Sequence, residues 1–121
     1  MILHSEALIR EYTSRGYWGH RTLLDKFREN CALHPSRVAV EDPPDRPELV
    51  GTPARSLTYE QLGRAVEAVA CELLRRGLRK DEIVVAQLPN VWELAMLYLA
   101  VGRAGGIISP LPWQWRERDV G

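Results

Sequence analysis

A chain of 121 residues and 13.8 kDa holds one small domain at most, because single domains run to roughly 100–200 residues. Hydrophobic residues at 45% and charged residues at 26%, with ordinary numbers of Gly and Pro, exclude disorder, collagen and coiled coil. The 16 basic residues balance the 16 acidic ones, so no net field attracts nucleic acid or an anionic membrane surface.

The first stretch, Ser5 to Trp18, is short and charged, and Arg15-Gly16-Tyr17-Trp18-Gly19 reads as an aromatic-tipped turn. Residues 1–21 are therefore expected to be a surface arm without an element of their own, and residues 22–121 the α/β part of a single domain. Thr22 precedes Leu23, Leu24, Phe27 and Cys31, with Asp25 in the first turn and His34-Pro35 as the stop, which predicts a capped helix with one apolar stripe. Val38-Ala39-Val40 reads as a strand, with Arg55-Ser56-Leu57-Thr58 as its antiparallel partner. Between them lie Pro43, Pro44, Pro47, Gly51 and Pro53, a loop composition.

Thr58-Tyr59-Glu60-Gln61 has the capping-box pattern, in which the threonine oxygen accepts from the Gln61 N–H and the glutamine reaches back. Tyr59, Leu62, Val66, Val69 and Leu73 follow at helical spacing, Glu60/Arg64 and Glu72/Arg76 sit four apart, and Gly77 closes the helix. Ile83-Val84-Val85-Ala86 is a continuous β-branched run, the pattern of a strand buried on both faces of a parallel sheet. Pro89-Asn90 ends it, and Asn90 is the expected cap of the next helix.

That helix, Val91 to about Val101, carries a single charge, Glu93, and a helix apolar all round is expected to be buried all round. Gly102 to Gly106 returns the chain to Ile107-Ile108-Ser109, a second parallel strand, and Arg116 to Val120 looks like the start of a further helix. A parallel sheet needs cover on both faces, and little material remains to supply it. The fold expected is α/β, a short antiparallel hairpin followed by a parallel βαβ unit with an incomplete sheet, the front of a larger protein.

Chemistry-bearing residues are sparse. Only two of the basic residues are lysines, Lys26 and Lys80, and neither sits in a Gly/Ser/Thr-rich loop. The Gly102–Gly106 cluster leaves a helix and enters a strand, the reverse of a phosphate cradle, so it reads as helix termination. His4, His20 and His34 share no predictable face, and Cys31 and Cys71 form no C-x-x-C, which leaves metal and disulfide readings without support. Asp42 and Asp45, flanking the proline-rich loop, read as solvated charges. Trp113 and Trp115 stand out as candidates for an interface or a substrate channel, or for packing against further parts of the protein. No secretion signal or membrane span is recognisable, so a cytoplasmic location is expected.

Leu57-Thr58-Tyr59-Glu60-Gln61-Leu62, the helix ending Arg75-Arg76-Gly77, Val84-Val85-Ala86-Gln87-Leu88-Pro89-Asn90 and Leu99-Ala100-Val101-Gly102-Arg103-Ala104-Gly105-Gly106-Ile107 occur in an order that resembles one family. It is the AMP-binding, adenylate-forming ligases, which include acyl-CoA synthetases, aryl-acid ligases, luciferase and peptide-synthetase adenylation domains. The resemblance runs from about Thr22 to the end. Arg15-Gly16-Tyr17-Trp18 and the Pro110 to Asp119 segment look most like the cyclohexanecarboxylate–CoA ligase branch, whereas aryl-acid–AMP ligases usually carry a histidine near Gln114 or Trp115.

The resemblance implies a luciferase-like adenylation fold and a two-step reaction. A carboxylate attacks the α-phosphate of ATP with Mg²⁺, and a thiol, usually that of CoA, then displaces AMP. The family's phosphate loop, aromatic-Thr-Glu motif, ribose-binding aspartate and C-terminal lysine match nothing in this sequence, so no catalytic, cofactor or metal residue is carried over. Three readings follow: an amino-terminal piece of an acid–CoA ligase, inactive alone, whose partner is the rest of the ligase; a non-catalytic partner-binding module; or a small enzyme. Bare apolar surface also implies self-association into a dimer, either edge to edge through Ile107–Ser109 or by exchange of the segment from Pro110 with Trp113 and Trp115 as anchors.

Overall fold

The computed structural model describes residues 2–115. Its elements in chain order are α1 (Glu6–Ser14), α2 (Leu23–Leu33), β1 (Val38–Glu41), α3 (Arg46–Val50), β2 (Ser56–Thr58), α4 (Tyr59–Arg75), β3 (Ile83–Ala86), α5 (Trp92–Arg103) and β4 (Ile107–Pro110). β1 and β2 pair antiparallel, with an irregularity between Val38 and Val40, and β3 pairs parallel with β4 in the register Ile83 with Ile107 and Val85 with Ser109. The α/β architecture of a hairpin and a parallel pair is as expected from the sequence. The helix anticipated from Arg116 lies outside the described residues.

Two capping boxes start the main helices. Thr22 Oγ1 accepts from the Asp25 N–H at 3.1 Å while Asp25 returns to the Thr22 N–H at 2.8 Å. Thr58 and Gln61 repeat the arrangement at the start of α4, and each box satisfies orphan N–H groups of a first turn. The left-handed residue Gly77, at φ 96°, follows α4 as anticipated. The core lies between α4, α5 and β2, with Leu57, Leu62, Val66, Ala70, Ala100 and Ala104 buried together and the Phe27 ring of α2 against Tyr59.

Four expectations are corrected. Ser5 to Ser14 is not irregular: Ser5 accepts from the Leu8 N–H and caps α1. None of the helix residues is buried, and the Tyr12 ring instead meets Tyr17 and Trp18 in T-shaped contacts. The proline-rich loop contains α3, with a proline in its first turn, where the missing N–H costs nothing, and Gly51 as its left-handed end. β3 is not buried on both faces, since Ile83 and Val85 are each 61% exposed while Ala86 is buried. α5 is fully covered only around Ala100 and Val101, and Tyr98 is exposed. Among the described residues, no helix is long and apolar enough to cross a membrane.

Candidate functional site

The most connected polar cluster gathers around Asp42 and Arg46. Asp42 follows β1 directly, and α3 brings Arg46 back beside it, one helical turn on. Arg46 Nη1 donates to both Asp42 oxygens at 3.0 and 2.9 Å, and its Nε donates to Thr52 Oγ1 at 3.1 Å. Across the fold, Nη1 and Nη2 donate to the two oxygens of Glu93, in the first turn of α5, at 2.7 and 2.5 Å. The remaining acceptor capacity of Asp42 is taken by the N–H groups of Arg55 at 2.9 Å and Trp92 at 2.8 Å. The Asp42 side chain is fully buried and that of Arg46 is 6% exposed.

Asp42 is thus no solvated loop charge, which corrects the sequence reading; Asp45 is exposed as read. The pattern Asp-x-x-x-Arg with a proline after the arginine would have signalled the local half of the cluster. Asn90 is likewise not the cap of α5. Val91 occupies that position without a side-chain bond, and Asp42 supplies the acceptor for the Trp92 N–H from 50 residues away. The cluster carries one net negative charge at the positive end of the α5 dipole, a favourable placement.

Burial pushes the Asp42 carboxyl upward, but the Trp92 and Arg55 N–H groups and the Arg46 guanidinium outweigh it and hold the group below the usual aspartate value. Arg46 lowers Glu93 in the same way, and both carboxylates keep the guanidinium protonated. Asp42, ionised and with its acceptor sites filled, has no proton to give and no lone pair aimed at a substrate, and both oxygens of Glu93 are held by Arg46. Their work is to fasten the hairpin to α5.

Beside this clamp opens a cleft of about 720 Å³, bordered by Pro43, Pro44, Arg55, Asn90 and Trp92. The Arg55 guanidinium lies over the Trp92 ring at 5.4 Å, and among the described residues the buried Trp92 Nε1 finds no hydrogen-bond partner. On the parallel unit, the carboxyl ends of β3 and β4 open into adjacent loops, the place where α/β sheets commonly bind ligands. Gln87 Nε2 donates to the carbonyls of Pro112 at 3.1 Å and Trp115 at 2.6 Å, fastening one loop to the other. Trp113 and Trp115 project from that strap 47% and 45% exposed.

The other candidates stay apart. His4 packs against Trp18, while His20 and His34 are exposed. Among the described residues no group of His, Cys, Asp or Glu could hold a metal ion. Lys26 pairs with Glu29 and Lys80 with Asp81, all at the surface. The Gly102–Gly106 cluster is no phosphate cradle. Gly102 is part of α5, and a Cβ at Gly106 would meet Leu78, Val101 and the Glu82 carbonyl at 3.1–3.2 Å, so that backbone is packed inward. That cluster therefore offers no open backbone to cradle a phosphate.

A family model described as AMP-binding enzyme matches residues 27–121. Over 109 residues, 90% of the chain, the sequence is 28% identical to the medium-chain fatty-acid–CoA ligase of Escherichia coli K12, of which it spans 18%. Over 100 residues, 83% of the chain, it is 37% identical to a Streptomyces salicylyl-CoA synthase / salicylate adenylyltransferase, of which it spans 16%. Among solved structures, the fold is similar to NpsA-ThdA, an artificially fused adenylation–PCP di-domain from Klebsiella oxytoca. The TM-score is 0.71 at 25% identity, covering 88% of this chain and 18% of that one. The chain thus spans less than a fifth of each of these three proteins.

Proposed function

The chain belongs to the AMP-binding enzyme family, and from that premise we propose that it is the amino-terminal part of an ATP-dependent acid–CoA ligase. In this reading the whole ligase joins a carboxylic acid to the α-phosphate of ATP, with Mg²⁺, and transfers the acyl group from the adenylate to CoA. Residues 22–121 act as one structural unit within it, residues 1–21 as an arm on its surface, and the reaction takes place in the cytoplasm. The observation that carries the reading is the family match over residues 27–121 together with the short span of each relative that the chain covers.

The chain's own contribution is architectural. Asp42, Arg46 and Glu93 fix the hairpin on α5, and Gln87 holds the loop bearing Trp113 and Trp115 at the carboxyl ends of the parallel strands. Those two tryptophans would line an interface with the rest of the ligase or the wall of its substrate channel. The Arg15-Gly16-Tyr17-Trp18 entry and the Pro110 to Asp119 segment resemble the cyclohexanecarboxylate–CoA ligase branch, though aryl-acid–AMP ligases share the Gly-Tyr-Trp entry and the acid itself is left open. An aryl-acid–AMP ligase is the second reading, favoured by the 37% identity to a salicylate enzyme.

Two assays test the proposal. The chain alone should give no acid-dependent exchange between pyrophosphate and ATP. The salicylate relative carrying residues 22–115 of this chain in place of its own should retain salicylate-dependent exchange. Exchange by the isolated chain would overturn its architectural role, and a soluble but inactive chimera would overturn the assignment to a ligase.

A further inference from the structure

We draw no further inference here: the strongest candidate, the cleft beside the Asp42–Arg46–Glu93 clamp bordered by Pro43, Pro44, Arg55, Asn90 and Trp92, opens at the surface of a chain that spans a small share of the relatives it matches, and nothing in the structure shows what covers it.

Discussion

Arg46 and Glu93, 47 positions apart in sequence, meet through two side-by-side hydrogen bonds, Nη1 to Oε2 at 2.7 Å and Nη2 to Oε1 at 2.5 Å. The same guanidinium also holds Asp42, so one side chain joins the loop after β1 to the first turn of α5. The antiparallel hairpin and the parallel unit share no strand pairing. Their relative placement therefore depends on this clamp and on the apolar contacts beneath it.

Asp42→Ala should destabilise the fold by about 3–5 kcal/mol, because it leaves a buried guanidinium half unpaired and two N–H groups without acceptors. Urea unfolding followed by tryptophan fluorescence and by circular dichroism measures the loss. A midpoint within error of wild type would mean that Asp42 is not part of the clamp.

Acid should weaken the clamp. Asp42 and Glu93 both lie below their ordinary values of 3.8 and 4.5 in the folded chain. A depressed folded value means that the pair contributes full stability above the ordinary carboxylate range and loses it as pH falls through the folded values. Exposed pairs such as Glu72 with Arg75 fade in salt, whereas the buried one is shielded from it. Thermal midpoints in high salt should stay level from pH 7 to about 5 and then fall. Asp42→Asn should flatten that fall, and an unchanged slope would place the acid sensitivity elsewhere.

How much of this was visible in the sequence depends on the range of the interactions. α4 was legible from end to end because its cap, apolar stripe and terminal glycine are all local. α1 was missed although Ser5 caps it and Leu8, Ile9 and Tyr12 share a half-buried face, because the short stretch reads together with the aromatic turn behind it, and none of its residues is fully buried. Asn90 looked like a cap because the true acceptor for α5, Asp42, lies 50 residues away. The continuous apolar run of β3 called for cover on both faces. The described chain supplies it on one face only, through α5, so the pattern registers packing that Ile83 and Val85 do not find here. The Arg46–Glu93 contact carries no local signal at all.

Thr58→Ala should cost on the order of 1 kcal/mol. Thr58 Oγ1 accepts from the Gln61 N–H at 3.3 Å and Gln61 Oε1 accepts from the Thr58 N–H at 3.0 Å, so the substitution opens half of a reciprocal pair. Gln61→Ala should cost less, since the Thr58 N–H sits at the surface where water replaces the lost acceptor. Coincident denaturant midpoints for wild type and Thr58→Ala would show that α4 begins without this cap.

Two glycines four residues apart should respond in opposite directions to the same added methyl group. Gly102 lies near the end of α5 with nothing within 4 Å of a Cβ built on it. Gly102→Ala should therefore stabilise by roughly 0.5–1 kcal/mol, by lowering the backbone entropy of the unfolded chain. At Gly106 the same Cβ would stand 3.1 Å from Leu78 Cδ2, 3.1 Å from Val101 Cγ1 and 3.2 Å from the Glu82 carbonyl oxygen. Two of those neighbours are side-chain tips that can yield, but the third is backbone. The Glu82 carbonyl accepts from the Ile107 N–H at 2.8 Å, the bond that starts the β3–β4 ladder. Gly106→Ala should thus cost about 1–3 kcal/mol and loosen that ladder. Denaturant midpoints give the sign for each variant, and amide exchange at Ile107 reports the ladder itself. A neutral Gly106→Ala with Ile107 still protected would show that the turn into β4 has room the packing around Leu78 and Val101 does not suggest.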